Sequence, residues 1–186
     1  MTTRLRQEAG FGLVEMMTVM AIMGIVLAGL TQVFTSASKA DIDMNNRFRA
    51  QQDTRLALDK LRRDVHCAYD VSPNTPNPWT SQQSTVTLKI TSCSGGDVTW
   101  CTAAMGGLTG RWSLYRQPNS TSCSSSSPAV KVASYLTTQT PFSAFAHPTG
   151  SLASLGVSLP VGVNRNTATG IYRLQDTIYL RNSTRP

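Results

Sequence analysis

One carboxylate, Glu15, stands alone in a long run of apolar residues. Between Phe11 and Phe34 no other residue is charged, and Met16–Leu30 is apolar apart from Thr18. A carboxylate in hydrocarbon is costly. It either takes a positive partner or, one turn inside a helix, reaches back to the headgroups. Four cysteines, Cys67, Cys93, Cys101 and Cys123, form the second reactive set. All lie beyond the apolar run. On the exported side of a membrane they oxidise to two disulfides, with three pairings open.

Other chemistry is thin. His66 and His147 lie far apart, and Cys67 beside His66 has no zinc spacing. No phosphate-binding loop, dinucleotide glycine fingerprint or nucleophile elbow occurs. Asp70, Asn74 and Asn77 carry oxygen ligands that suit Ca²⁺, but the same residue types are ordinary turn formers. The expectation is a protein without catalytic residues, metal or cofactor.

These residues need elements to hold them. A helix over Phe11–Leu30 spans about 30 Å, the thickness of a bilayer's hydrocarbon core. Arg4 and Arg6 precede it, which predicts a cytoplasmic start and an external C-terminal part. Gly24 and Ala28 are a small-xxx-small pair that lets helices approach. From Thr35 to Tyr69 there is neither proline nor glycine. Leu58, Leu61, Val65 and Ala68/Tyr69 recur at helical spacing, with Phe48 assigned to the same face. Asp53, Lys60, Arg62, Arg63 and Asp64 fall mostly off it. The two stretches predict one helix from about Phe11 to about Tyr69, stopped by the proline-rich Ser72–Pro78.

Beyond it the period changes to two. Val86, Leu88 and Ile90 share a face in Ser84–Ile90, and Val98/Trp100 and Trp112/Leu114 alternate likewise. Ala129–Leu136, Leu152–Leu159 and Ile171–Arg181 are further strands, and Asn119–Pro128 is a serine-rich loop. The predicted class is α+β: a long N-terminal helix packed on an antiparallel sheet. The hairpin of Val98–Cys101 with Trp112–Arg116 brings Cys93 toward Cys123, leaving Cys67 for Cys101. That pairing needs a bulge, because Val98 and Trp100 inward turn Cys101 outward.

The order basic leader, Gly10, Phe11, apolar run with Glu15 at its fifth position resembles the prepilin signal of the type IV pilin-like family. The resemblance implies cleavage between Gly10 and Phe11 by prepilin peptidase and N-methylation of Phe11. It implies that Glu15 meets the new Phe11 amine, within one chain or between neighbouring subunits. Thr54–Asp64 and Thr177–Asn182 are similar to the helix and last strand of PilW-type minor pilins and of pseudopilin J of type II secretion. Major pilins of the family often carry a proline where this chain has Gln32, which points to a minor subunit.

The resulting division is leader 1–10, transmembrane or filament-core helix 11–34, amphipathic continuation 35–70 and external β-rich domain 71–186. The expected function is that of a minor pilin or pseudopilin, structural and not enzymatic. It inserts in the cytoplasmic membrane and joins other pilins in a filament, which it primes or caps. The rivals are a type II secretion pseudopilin, a DNA-binding competence pilin and a membrane-anchored extracellular domain unrelated to filaments. The net charge is +7, and Arg47, Arg49, Arg55, Lys60, Arg62 and Arg63 crowd the external helix. Those cations give nucleic acid its claim as a partner. Asp53, Asp59 and Asp64 interleave with them, which suits a solvated face, and Phe48 is the sole aromatic for base stacking.

Overall fold

The structure, a computed structural model, describes residues 12–91, 93, 96–163 and 170–184. Gly10 and Phe11 lie outside the described residues. Among the described residues the element order is one helix, α1 (Leu13–Cys67), then eight strands. These are β1 (Ala68–Ser72), β2 (Thr85–Ile90), β3 (Val98–Ala104), β4 (Trp112–Pro118), β5 (Val130–Leu136), β6 (Phe142–Ala146), β7 (Ser154–Gly162) and β8 (Ile171–Tyr179). The class is α+β, as the change of period predicts. The chain divides into two compact units, Met1–Met44 and Asn45–Pro186, and the division falls within α1.

In the first unit α1 has little to pack on. Its stretch of high mean hydropathy, 2.2 over eighteen residues, is wholly unburied. The hydroxyls of Thr18, Thr31 and Thr35 donate to the carbonyls of Glu15, Leu27 and Gln32. Each hydroxyl is thereby satisfied inside the helix, as an apolar surrounding requires.

The second unit is built around a curled antiparallel sheet. Its strand order is β1-β2-β3-β4-β5-β7-β6, and β8 pairs with the other edge of β7. The outer edge of β6 is met by the chain ahead of β2: Gln83 bridges Phe142, and the Trp79 N–H donates to the Phe145 carbonyl at 3.0 Å. On α1, Ala57, Leu58, Leu61 and Val65 are buried together with Val86, Leu88, Ile90, Val98 and Trp100 of the sheet. Burying each large aliphatic side chain contributes about 1.5–3 kcal/mol.

Besides the short strand β6, which the sequence analysis does not mark, the observed pattern departs from the sequence expectation in three places. Phe48 does not share the core face; it is 64% exposed. Thirteen residues separate it from Leu61, about three and a half turns, so the two point to opposite sides. Asp64 does share the core face, being only 9% exposed.

The helix also ends at Cys67, short of Tyr69, and β1 begins at once. The Asn182 side chain donates to the carbonyls of His66 and Cys67 at 3.4 and 3.1 Å, satisfying acceptors that a helix end leaves open.

The third departure is the disulfide pairing. Cys67 pairs with Cys93 and Cys101 with Cys123, with Cα–Cα distances of 5.6 and 5.9 Å. The expected Cys93–Cys123 and Cys67–Cys101 bonds are absent among the described residues. Strand β1 is the reason for the first bond. It pairs with β2 in the register Ala68↔Ile90, so Cys67 sits beside the chain just past Ile90. The second bond comes from alternation: Trp100 points inward and Cys101 outward. After β4 the chain folds back over that outer face, where the Thr99 hydroxyl donates to the Ser120 carbonyl at 2.5 Å. Cys123 then lies over Cys101 and no bulge is needed.

Candidate assembly site

The helix start is ordinary in its backbone. The N–H groups of Glu15 and Met16 donate to the Gly12 carbonyl at 3.0 and 3.2 Å. Its side chains are not ordinary for an aqueous surface. Leu13, Val14, Met17, Met20, Ile25, Leu30, Val33 and Phe34 are all more than 60% exposed. A contiguous apolar surface of this extent demands a lipid or protein surrounding. Glu15 lies inside this surface and is exposed. No described residue hydrogen-bonds its carboxylate. Around Gly24 no side chain lies within 4 Å of where a Cβ would stand, so another helix has room for close approach there.

In the second unit, α1 is locked to the sheet by a cluster around Asp64. Its Oδ2 accepts from Trp100 Nε1 at 2.9 Å and from Arg116 Nε at 2.7 Å. Its Oδ1 accepts from the Arg116 Nη2 at 3.0 Å. Hydrogen bonding to Asp64 holds the half-buried Arg116 guanidinium above its ordinary pKa, against the opposing effect of burial. A second pair, Arg62 with Asp176 on β8 at 2.8 Å, is more exposed, and Asp59 shares the same guanidinium. No buried polar side-chain atom among the described residues lacks a hydrogen-bond partner, so these groups are held in fixed, satisfied contacts.

The sequence reading missed Asp64 as a core residue, although its spacing carried the signal. It lies three residues after Leu61 and one before Val65, inside the buried stripe. Its partners Trp100 and Arg116 face each other in the β3–β4 register, which the sequence does not display.

The remaining candidates are distributed around the domain. Asn77 donates to the His147 carbonyl and accepts from its N–H, so it braces a loop. Asp70 accepts from Asn74 at 3.1 Å. No group of three metal-ligating acids, histidines or cysteines occurs among the described residues. His66 Nδ1 donates to the Tyr179 carbonyl at 3.1 Å, and His147 lies edge-on to Phe145. Among the helix cations, Arg62 is spent on Asp59 and Asp176.

No curated protein and no solved structure matches the chain. Residues 5–31 match the family described as the prokaryotic N-terminal methylation motif. The match covers Glu15, Gly24 and Ala28 and ends within α1, ahead of the compact unit that begins at Asn45. The motif implies a substrate of prepilin peptidase that assembles with other pilins, a family of structural subunits, and the apolar helix fits a membrane-anchored pilin. The chain bears the prepilin signal of type IV pilin-like proteins, the mark of a pilin- or pseudopilin-type subunit.

Proposed function

We propose that this chain is a minor subunit of a type IV pilus-like filament, which it primes or caps. Prepilin peptidase cuts between Gly10 and Phe11 and methylates the new Phe11 amine. Residues 11–34 hold the protein in the cytoplasmic membrane and later enter the filament core. The β-rich domain stands outside the cytoplasm, where its disulfides persist. Glu15 pairs with the Phe11 amine of a neighbour, which sets the register of the new subunit.

The observation that carries this reading is the exposed apolar stretch of α1 with one carboxylate near its start. A membrane anchor alone has no use for that carboxylate; a helix that exchanges lipid for other helices does. Support for a minor rather than a major subunit comes from the helix itself, which runs without proline over its whole length. The type II secretion pseudopilin is the nearest rival.

Counting subunits by quantitative mass spectrometry of sheared filaments tests the proposal. The expected result is this chain at a few copies per hundred of a major subunit. If it makes up most of the filament mass, the minor assignment is wrong. Filaments that are unchanged by its deletion while DNA uptake fails would favour the competence reading.

A further inference from the structure

Among the described residues the sheet leaves one long edge unblunted. Natural edges are protected by shortness, proline, bulges or cover. The outer edge of β6 is met by Trp79 and Gln83. Strand β1 is five residues long, has a register irregularity between Ala68 and Asp70, and runs into Pro73. Strand β8 has none of these devices. It is nine residues long, contains no proline or lysine, and pairs with β7 in an unbroken register from Gly162↔Ile171 to Ser154↔Tyr179.

Its hydrogen-bond parity is settled at both ends. The Val163 N–H donates to the Gly170 carbonyl and the Leu180 N–H to the Ala153 carbonyl, both at 2.8 Å. In an antiparallel ladder bonded and non-bonded pairs alternate. The even-numbered residues of β8 therefore bond to β7. Ile171, Arg173, Gln175, Thr177 and Tyr179 turn their backbone N–H and C=O groups outward. The same five side chains are exposed. Among the described residues no strand pairs with this edge, and only the Tyr179 carbonyl is taken, by His66.

At the Tyr179 end the edge opens into a groove of about 390 Å³, lined by Arg62, His66, Leu152, Ile178, Tyr179 and Arg181 among others. Arg62 is shared by Asp59 and Asp176, so those three groups together carry one negative charge. Arg173 and Arg181 are exposed and make no ion pair among the described residues. Among the described residues the edge is thus an unfilled backbone ladder at which Arg173 and Arg181 outnumber the one surplus acid.

We propose that β8 receives an extended acidic segment of a different polypeptide as an added strand, with acidic side chains against Arg173 and Arg181. Main-chain hydrogen bonds to Arg173, Gln175 and Thr177 supply the affinity, and the two arginines supply the preference for acid. A second copy of this chain fits poorly, because it brings the same basic edge. The inference rests on the filament reading above, since a neighbouring subunit of the assembly is the source of the segment.

Amide hydrogen exchange on the full mature chain tests it, in detergent and in sheared filaments. The amides of Arg173, Gln175 and Thr177 exchange freely in detergent and slow at least tenfold in filaments. Gln175→Pro removes an outward N–H and leaves the β7 ladder intact. It lowers co-sedimentation with filaments at least fivefold. The paired substitution Arg173→Glu with Arg181→Glu, which touches no ladder bond, lowers it similarly.

A photo-crosslinking residue at position 177 joins an acidic segment of another protein. Unchanged exchange in filaments, wild-type co-sedimentation of both variants, or a crosslink to a second copy overturns the strand addition. Complete absence of the wild-type chain from filaments refutes the filament reading, and this inference with it.

Discussion

Replacing Asp64 with alanine detaches the helix from the sheet without touching the hydrophobic contacts. The wild-type carboxylate is 11% exposed and holds three donors, from Trp100 and Arg116. Alanine leaves the indole N–H of Trp100, a residue with no exposure, without its acceptor. An orphaned buried donor costs about 1–3 kcal/mol. It also leaves the Arg116 guanidinium, on a side chain 25% exposed, without its counter-charge. Breaking such a pair one-sidedly costs about 3–5 kcal/mol in full burial. Partial exposure of Arg116 lets water recover some of that, so the combined loss is about 3–5 kcal/mol.

For a domain of this size each kcal/mol moves the midpoint by about 3–4 °C, which puts the shift at roughly 10–20 °C. The compact unit Asn45–Pro186 contains every buried hydrophobic residue of the described chain and is the species to measure, with its disulfides intact. Urea unfolding monitored by tryptophan fluorescence gives the free energy. A double-mutant cycle with Arg116→Ala isolates the pair itself. A loss below 1 kcal/mol for Asp64→Ala, with an unchanged denaturant slope, would refute the view that this cluster holds α1 to the sheet.

Three further predictions address processing, assembly and oxidation. The mature protein begins at N-methylated Phe11, checked by intact mass and terminal sequencing; a chain that keeps Met1, or loses the apolar helix, contradicts this. Glu15→Gln keeps membrane insertion and cleavage and lowers filament incorporation at least tenfold, read by immunoblot of sheared filaments. Incorporation at the wild-type level would remove Glu15 from assembly. A non-reducing peptide map yields Cys67–Cys93 and Cys101–Cys123. Their sequence separations of 26 and 22 residues suggest that each stabilises by roughly 3–4 kcal/mol. Recovery of a Cys93–Cys123 peptide would instead support the hairpin argument.

The membrane-length helix, the lone Glu15 and six of the eight strands were legible in the sequence because each is a local pattern. Chain length and hydropathy decide whether a segment can span a bilayer, and a period of two or 3.6 decides which side chains share a face. Leu58, Leu61 and Val65 were placed on the core face by spacing alone, as were Val86, Leu88 and Ile90.

The other features were settled only by tertiary contacts between residues far apart in the chain. Strand β1 directly succeeds the helix and gains its identity from β2, so Ala68 and Tyr69, which continue the helical spacing, open a sheet edge instead. Strand β6 is equally short, lies between two prolines, and is defined by β7 and the Trp79–Gln83 segment. The disulfide pairing turned on β1 and on a loop that crosses the outer face of β3. Neither the burial of Asp64 nor the openness of β8 is visible in one dimension. The first needs Trp100 and Arg116 brought beside the helix, and the second is a ladder whose far side no described strand fills.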